Sequence, residues 1–200
     1  VYGVEMDQER LNTIRTGHLP FLETGLDKAL KHHLNHNFYP VSPDGLSDPI
    51  AKSDCIYYCV GTPYGKDGQA DLSYLFKAID ETLDLIPDNR FRVLVVKSTI
   101  PPSTTERKII PHIQQRGICV GPTTVNDRDS LHIGVANNPE FLREGHCWDD
   151  FIKADRIVLG VSDEMSEKML RAVYVTSQIP LVCVSLNTGE FVKYLSNTLF

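Results

Sequence analysis

CIYYCVGTP (residues 55–63) is the stretch that decides the fold, because its apolar residues follow one another without polar alternation until a glycine and a proline end the run. A second run of this kind, VLVV (93–96), follows a helical pattern that ends near Ile86 and for which Asp71 is the expected N-cap. Strands buried on both faces have this composition, and helices between such strands indicate βαβ units. We therefore predict a doubly wound α/β domain with a parallel sheet.

The same succession of strands and helices continues towards both ends of the chain. Upstream, the pattern predicts a strand in VYGVE (1–5), helices over about 8–15 and 25–34, and a weak strand in FYPVS (38–42). Downstream, it predicts a helix after residue 102, strands in HIGVAN (132–137), RIVLGV (156–161) and PLVCV (180–184), a helix over about 164–174 and a last helix from about Thr188.

Composition and charge exclude several classes of function. The 200 residues carry a formal net charge of −6, so neither nucleic acid nor an anionic membrane surface is expected as a partner. No apolar run approaches the roughly 18 residues of a membrane span. The five cysteines form no C-x-x-C pair, and His32 and His36 have no evident third ligand. We expect reduced thiols, a cytoplasmic protein and no metal site.

Four predicted strands end in polar, glycine or proline residues. In a doubly wound sheet the carboxyl ends of the strands face the ligand-binding crevice, so four such ends together indicate a binding site. The residues are Glu5; Gly61, Thr62 and Pro63; Lys97, Ser98 and Thr99; and Asn138, Pro139 and Glu140.

Glu5 indicates which cofactor this crevice binds. An acid that closes the second strand of such a domain accepts hydrogen bonds from a ribose diol and repels a 2′-phosphate, which favours NAD over NADP. Arg10 could lie over the adenine side or simply cover the helix. The glycine-rich phosphate turn is expected roughly 20 residues before the acid, whereas Val1 lies only four residues before Glu5. We therefore expect the first strand and its Gly-rich turn to lie outside these 200 residues, in a longer protein.

The last predicted helix, in TGEFVKYLSNTLF (188–200), has one apolar and one polar face. Phe191, Val192, Leu195 and Leu199 form an apolar stripe at helical spacing. Glu190, Lys193 and Asn197 lie on another face, and the spacing alone favours an ordinary solvated surface for them. A cation and an amide one turn apart could instead stabilise an oxyanion.

Seven segments, taken in order along the chain, resemble the nucleotide-sugar 6-dehydrogenase family. They are GVEMDQERL, PFLETGL, VGTPYGKDGQADLSYL, KSTIPPSTT, NPEFLREG, DFIKADRIVLG and TGEFVKYLSNTLF. The resemblance implies part of a Rossmann-like NAD-binding domain over residues 1–186 and the start of a central dimerisation helix over residues 187–200. It also implies oxidation of a sugar C6 alcohol to a carboxylate with two NAD⁺, in a homodimer.

The resemblance also implies a role for individual residues. Glu140 matches the general acid/base, and Glu144 matches a second active-site glutamate near the nicotinamide. Lys193 and Asn197 match a pair that stabilises oxyanions, which argues against the solvated face. The motifs also imply two larger sets of residues. The contacts of the sugar nucleotide are Glu140, Phe141, Leu142, Lys193 and Asn197. The residues around NAD are Glu5, Arg10, Gly61, Thr62, Pro63, Thr99 and Glu144, and Thr99 also positions a water.

Two questions stay open at the level of sequence. ADRIVLG (154–160) resembles the branch of the family that acts on UDP-glucose more than the branch that acts on GDP-mannose. The family's cysteine nucleophile lies in a GGSC-like context that none of the five cysteines here has, so we expect it outside these residues and expect this chain alone to be inactive. Cys147 is interpreted as a packing residue. The alternative is a truncated dinucleotide-binding module without catalysis.

Overall fold

A computed structural model of the chain describes residues 1–65, 68–123, 129–143 and 145–199, and for Asn197 it describes the backbone alone. Within these residues the strands, numbered β1 to β8, span Tyr2–Val4, Tyr39–Val41, Cys55–Tyr58, Arg92–Val96, Cys119–Val120, His132–Asn137, Ile157–Gly160 and Leu181–Val184. The α-helices of the same described ranges, numbered α1 to α8, span Gln8–Arg15, Leu26–His33, Ser47–Lys52, Ser73–Leu85, Ile110–Gln115, Cys147–Ile152, Glu164–Val173 and Leu186–Leu199. A 3-10 turn covers Pro43–Gly45, and a π-helical turn over Thr105–Ile109 leads into α5.

The chain divides into two compact units. The first consists of Val1–Lys52 together with Leu142–Ala154, and the second of Ser53–Phe141 together with Asp155–Phe200. In the first unit, β1 and β2 pair in parallel, and in the second unit the strand order is β3-β4-β6-β7-β8, with β5 paired to β6.

The sheet of the second unit is mostly parallel, as the sequence predicts, with one exception. β6 and β7 are antiparallel, and they pair through a single residue pair, Asn137 and Gly160. The other pairings are parallel. The prediction of a parallel sheet is therefore wrong at this one junction, where β7 starts on the side of the sheet at which β6 ends.

β4 shows why an unbroken apolar run predicts a doubly wound sheet. Leu94 and Val96 face a core that includes residues of α4 and α5, whereas Val93 and Val95 face a second core that includes residues of α7. All four side chains are at most 1% exposed. A strand covered on both faces has no solvent side, so polar residues have no place to alternate.

Several short elements are not predicted from the sequence, and two helix boundaries differ from the predicted ones. The missed elements are the 3-10 turn, α3, β5 and α6, each of six residues or fewer and too short for a helical or strand period to emerge. Asp71 is not the N-cap of α4: that position is Leu72, although the Asp71 carboxylate accepts a hydrogen bond from the Ser73 N–H at 2.9 Å. The last helix begins at Leu186, two residues earlier than predicted.

The sequence predicts reduced cysteines and no membrane-spanning segment. No helix within them is long and apolar enough to cross a membrane. All five cysteines lie in the described part of the chain and are free thiols.

Candidate active site at the strand ends

Three of the four predicted strand ends meet at one edge of the second unit, because β3, β4 and β6 are parallel neighbours. The Thr62 hydroxyl donates to the Thr99 carbonyl at 2.7 Å, and the Ser98 hydroxyl donates to the Val60 carbonyl at 2.6 Å. Gly61 and Pro63 are exposed on the turn that carries Thr62. The loops after β3 and β4 are therefore joined by side-chain hydrogen bonds.

Glu140 and Lys193 form a partly buried ion pair beside these loops. The Lys193 ammonium, on α8, donates to the Glu140 carboxylate at 2.8 Å. Lys193 is 6% exposed, and the side chain of Glu140 is 30% exposed. Val96, Ser98 and Thr99 of the β4 end line the same small cleft as Lys193. A cation and a carboxylate held together at a strand edge can bind an alcohol, transfer its proton and stabilise the resulting oxyanion.

Helix α8 lies with its polar face inward, contrary to the spacing argument. Lys193 and Glu190 are buried, whereas Phe191, Leu195 and Leu199 are 52%, 43% and 64% exposed. The solvated-face interpretation is wrong for Lys193 and Glu190. Both charges tolerate burial because each has a partner of the second unit: Glu140 for Lys193, and Thr105 for Glu190.

Lys97 is a charged neighbour that the sequence analysis placed at a strand end without giving it a role. Its ammonium lies 3.4 Å from both the carbonyl and the side-chain oxygen of Asn138. Burial lowers the pKa of Lys97, and the neighbouring Glu140 carboxylate partly opposes that shift. Its place at the end of β4, directly before Ser98 and Thr99, was the available signal, since perturbed lysines cluster at functional sites.

The Phe141 ring lies close to two cations. The Lys193 ammonium is 5.8 Å from the ring centroid, and the Arg156 guanidinium carbon is 5.5 Å from it. Both distances are within the range of cation–π attraction. Phe141 is thus oriented by the same lysine that holds Glu140.

The remaining predicted residues are distributed as follows. Glu5 and Arg10 belong to the first unit, where the Glu5 carboxylate accepts the Asp7 N–H at 2.9 Å and lies 3.4 Å from the Arg10 guanidinium. Leu142 is half-buried in that unit. Glu144 and the side chain of Asn197 lie outside the described residues. Within the described ranges, no group of three His, Cys, Asp or Glu residues could hold a metal ion.

Arg143, next to Glu144 in the sequence, is occupied by an acid of its own unit. Its guanidinium donates to both carboxylate oxygens of Asp150, at 3.0 and 2.7 Å, and its N–H donates to the same carboxylate at 2.9 Å. These hydrogen bonds lower the pKa of Asp150 to about 2. The double contact fixes the chain after Leu142.

We expect Arg143→Ala to raise the pKa of Asp150 part of the way to its ordinary value of about 4, because the guanidinium is lost while the backbone N–H of residue 143 still donates to the carboxylate. A carboxylate whose pKa is lowered by folding stabilises the fold at pH values above its unfolded-state pKa. This stabilisation is lost as the pH falls from about 4 towards 2. The stability of the variant should therefore fall less over this pH range. Carboxyl NMR titration measures the pKa directly. Lys153→Ala, which removes the exposed partner of Asp149, is the matched control. An unshifted Asp150 in Arg143→Ala would contradict the assignment.

The sequence of the chain matches a known protein family. A family profile described as "UDP-glucose/GDP-mannose dehydrogenase family, NAD binding domain" matches residues 1–178. The UDP-glucose 6-dehydrogenases of Rickettsia conorii and Pseudomonas aeruginosa are 34% and 30% identical, over 98% and 97% of this chain. In each case the chain spans 41% of the relative's length.

Solved structures give the same result. A GDP-mannose dehydrogenase from Pseudomonas aeruginosa matches with a TM-score of 0.87 and 27% identity, over 99% of this chain and 44% of that one. A UDP-glucose dehydrogenase from Pyrobaculum islandicum matches with a TM-score of 0.83 and 32% identity, over 98% of this chain and 43% of that one. The chain therefore belongs to the UDP-glucose/GDP-mannose dehydrogenase family, as part of its Rossmann-like NAD-binding domain.

Proposed function

We propose that the longer protein containing this chain oxidises UDP-glucose at C6 to UDP-glucuronate, in two hydride transfers to NAD⁺. The observation that carries the proposal is the partly buried Lys193–Glu140 pair at the strand edge, 2.8 Å apart. Family membership supports the reaction class, and the names of the curated relatives support the choice of UDP-glucose.

Glu140 and Lys193 divide the chemistry at the sugar between them. Glu140 accepts the proton of the C6 hydroxyl, and the Lys193 ammonium stabilises the oxygen on which negative charge develops. Phe141 and Leu142 contact the sugar nucleotide, and Asn197 completes the oxyanion site. The later thioester requires a cysteine in a GGSC-like context, which we place outside these residues, and Thr99 orients the water that hydrolyses it.

The residues assigned to NAD suit a dinucleotide. Gly61 has open space, because a Cβ placed on it would meet no atom within 4 Å, so a ligand can approach the backbone of the turn closely. Glu5 and Arg10 serve the adenosine ribose and its surroundings, while Gly61, Thr62, Pro63, Thr99 and Glu144 serve the rest of the cofactor. NAD⁺ supplies the hydride acceptor; binding and orientation come from the chain.

The quaternary state forms part of the same proposal. We place the boundary between the NAD-binding domain and a central dimerisation helix at residues 186 and 187, next to the start of α8 at Leu186. The exposed apolar residues Phe191, Leu195 and Leu199 support a homodimer of the longer protein through this helix.

The substrate choice is tested by NADH formation from the purified longer protein. We expect UDP-glucose to support turnover with a kcat/KM at least about tenfold above that of GDP-mannose, because a base-specific site rejects the wrong nucleotide through unpaired polar groups. GDP-mannose is the second candidate, since a GDP-mannose dehydrogenase shares this fold at a TM-score of 0.87. Turnover of GDP-mannose alone would select it, and no turnover of either would support a non-catalytic module.

A further inference from the structure

Glu190 is a buried carboxylate for which the proposed chemistry has no use. It lies one turn before Lys193 on α8 and is 3% exposed. One carboxylate oxygen accepts two hydrogen bonds from Thr105, from the N–H at 2.8 Å and from the hydroxyl at 2.5 Å. The other oxygen is buried and has no hydrogen-bond partner among the described residues. An acid in this position costs stability, so its presence calls for a function.

The burial of Glu190 is reflected in its titration. Desolvation raises the pKa of Glu190, while the hydrogen bonds from Thr105 act in the opposite direction. The carboxylate therefore faces the start of the helical segment that contains the π-turn, where N–H groups lack intrahelical partners. Glu190 accepts the Thr105 N–H from another helix, 85 residues away in sequence.

Glu190 contacts the C-terminal end of the loop that carries Thr99, which is the segment of residues 97–105 that runs from β4 into the π-helical turn. The near end of this loop is fixed by Thr62, which donates to the Thr99 carbonyl. The far end passes through Ser103, a non-glycine residue with φ +69°, whose hydroxyl donates to the side chain of Asn187 at 3.0 Å. Such a backbone conformation persists only when surrounding contacts impose it. The first turn of α8 supplies those contacts through Asn187 and Glu190.

The same helix face reaches the other half of the site. Glu190 and Lys193 line one cleft together with Ser98 and Thr99, and Lys193 holds Glu140. Helix α8 is thus bonded to the Thr99 loop through Glu190 and to the end of β6 through Lys193.

We propose that Glu190 is a positioning residue that sets the loop carrying Thr99 relative to Lys193 and Glu140. The inference rests on the proposed function of these three residues and adds one that acts through Thr105 without contacting substrate. Misplacement of reacting groups by about 1 Å can cost on the order of 100-fold in rate. Loss of the Thr105 contact therefore acts on kcat.

The test uses variants of the longer protein and kcat per folded site. Glu190→Ala should lower kcat about tenfold or more, with KM for the nucleotide sugar within about twofold of wild type. Glu190→Gln retains an acceptor for the Thr105 N–H and should restore kcat to within about threefold. Glu164→Ala, at an exposed acid in α7, is the matched control. A folded Glu190→Ala enzyme with unchanged kcat, or a glutamine variant no better than alanine, would overturn the proposal.

Amide hydrogen exchange provides a readout that does not depend on turnover. Glu190→Ala should accelerate exchange at Thr105 and through residues 97–105, while the amides of β6 and β7 keep wild-type rates. If the wild-type protein oxidises no nucleotide sugar, the proposed function fails, and exchange still decides the role of Glu190. Unchanged exchange over residues 97–105 would show that Glu190 does not hold the loop.

Discussion

Replacement of Lys193 by methionine in the longer protein should lower kcat about 100- to 1000-fold, the range found when one oxyanion-stabilising donor is lost. Methionine has similar length but cannot neutralise a developing negative charge. The same change removes the partner of Glu140, whose oxygen lies 2.8 Å from the Lys193 ammonium. Steady-state NADH formation gives kcat, and Lys168→Met, at an exposed lysine of α7, is the control.

Loss of stability must be separated from loss of catalysis in this variant. Removing one partner of a buried pair leaves an uncompensated charge and destabilises the fold. The double variant Lys193→Met/Glu140→Gln removes that charge, so we expect its urea midpoint to recover towards wild type while kcat stays low. A Lys193→Met enzyme with kcat within about threefold of wild type would show that the pair is not part of the reaction.

Gly189→Ala should destabilise the chain by about 1–3 kcal/mol, as expected for overpacking in a tight core. A Cβ at this position would lie 2.1 Å from the side-chain oxygen of Asn137 and 3.2 Å from the Cα of Gly160. Asn137 cannot easily withdraw, because it is 2% exposed and its amide donates to the Leu186 carbonyl at 2.8 Å. The side chain of Asn137 occupies the space that a Cβ would need, so Asn137 is the residue that makes glycine necessary at position 189.

A double-mutant cycle tests this dependence. In Gly189→Ala/Asn137→Ala the two changes should be non-additive, with a smaller loss of unfolding free energy than the sum of the single changes, because the clash is gone. Urea denaturation measures each free energy. Gly45→Ala is the matched control, since a Cβ there would meet no atom within 4 Å and the backbone is not left-handed. Additive losses would place the strain elsewhere.

The part of the site that could be predicted from sequence is the part that follows from strand direction. Thr62, Thr99 and Glu140 lie together because parallel neighbours in a sheet end at the same edge, and apolar runs identify such strands. The same rule predicts that Glu5 joins them, but the structure places β1 in a separate two-stranded sheet of the first unit, and the role of Glu5 stays a prediction. The roles of Glu144 and Asn197 also stay predictions.

The orientation of α8 could not be predicted from periodicity. Helical spacing assigns the apolar stripe of Phe191, Leu195 and Leu199 to the core, because buried lysine and glutamate are rare. The structure reverses this assignment, since the acceptors and donors that compensate Lys193 and Glu190 come from Glu140 and Thr105, which are distant in sequence. The fit of Asn137 beside Gly189 likewise depends on tertiary packing, which local sequence patterns do not show.

The boundary between the two units falls inside a motif, after Phe141, because residues 142–154 belong with the first 52. The chain therefore passes from one unit to the other three times, and no single cut in the gene would release either one. Exchange of a unit between relatives would require three junctions, one of them between Phe141 and Leu142. A crossover placed at that junction would combine Glu140 of one parent with Leu142 and Arg143 of the other and so divide NPEFLREG.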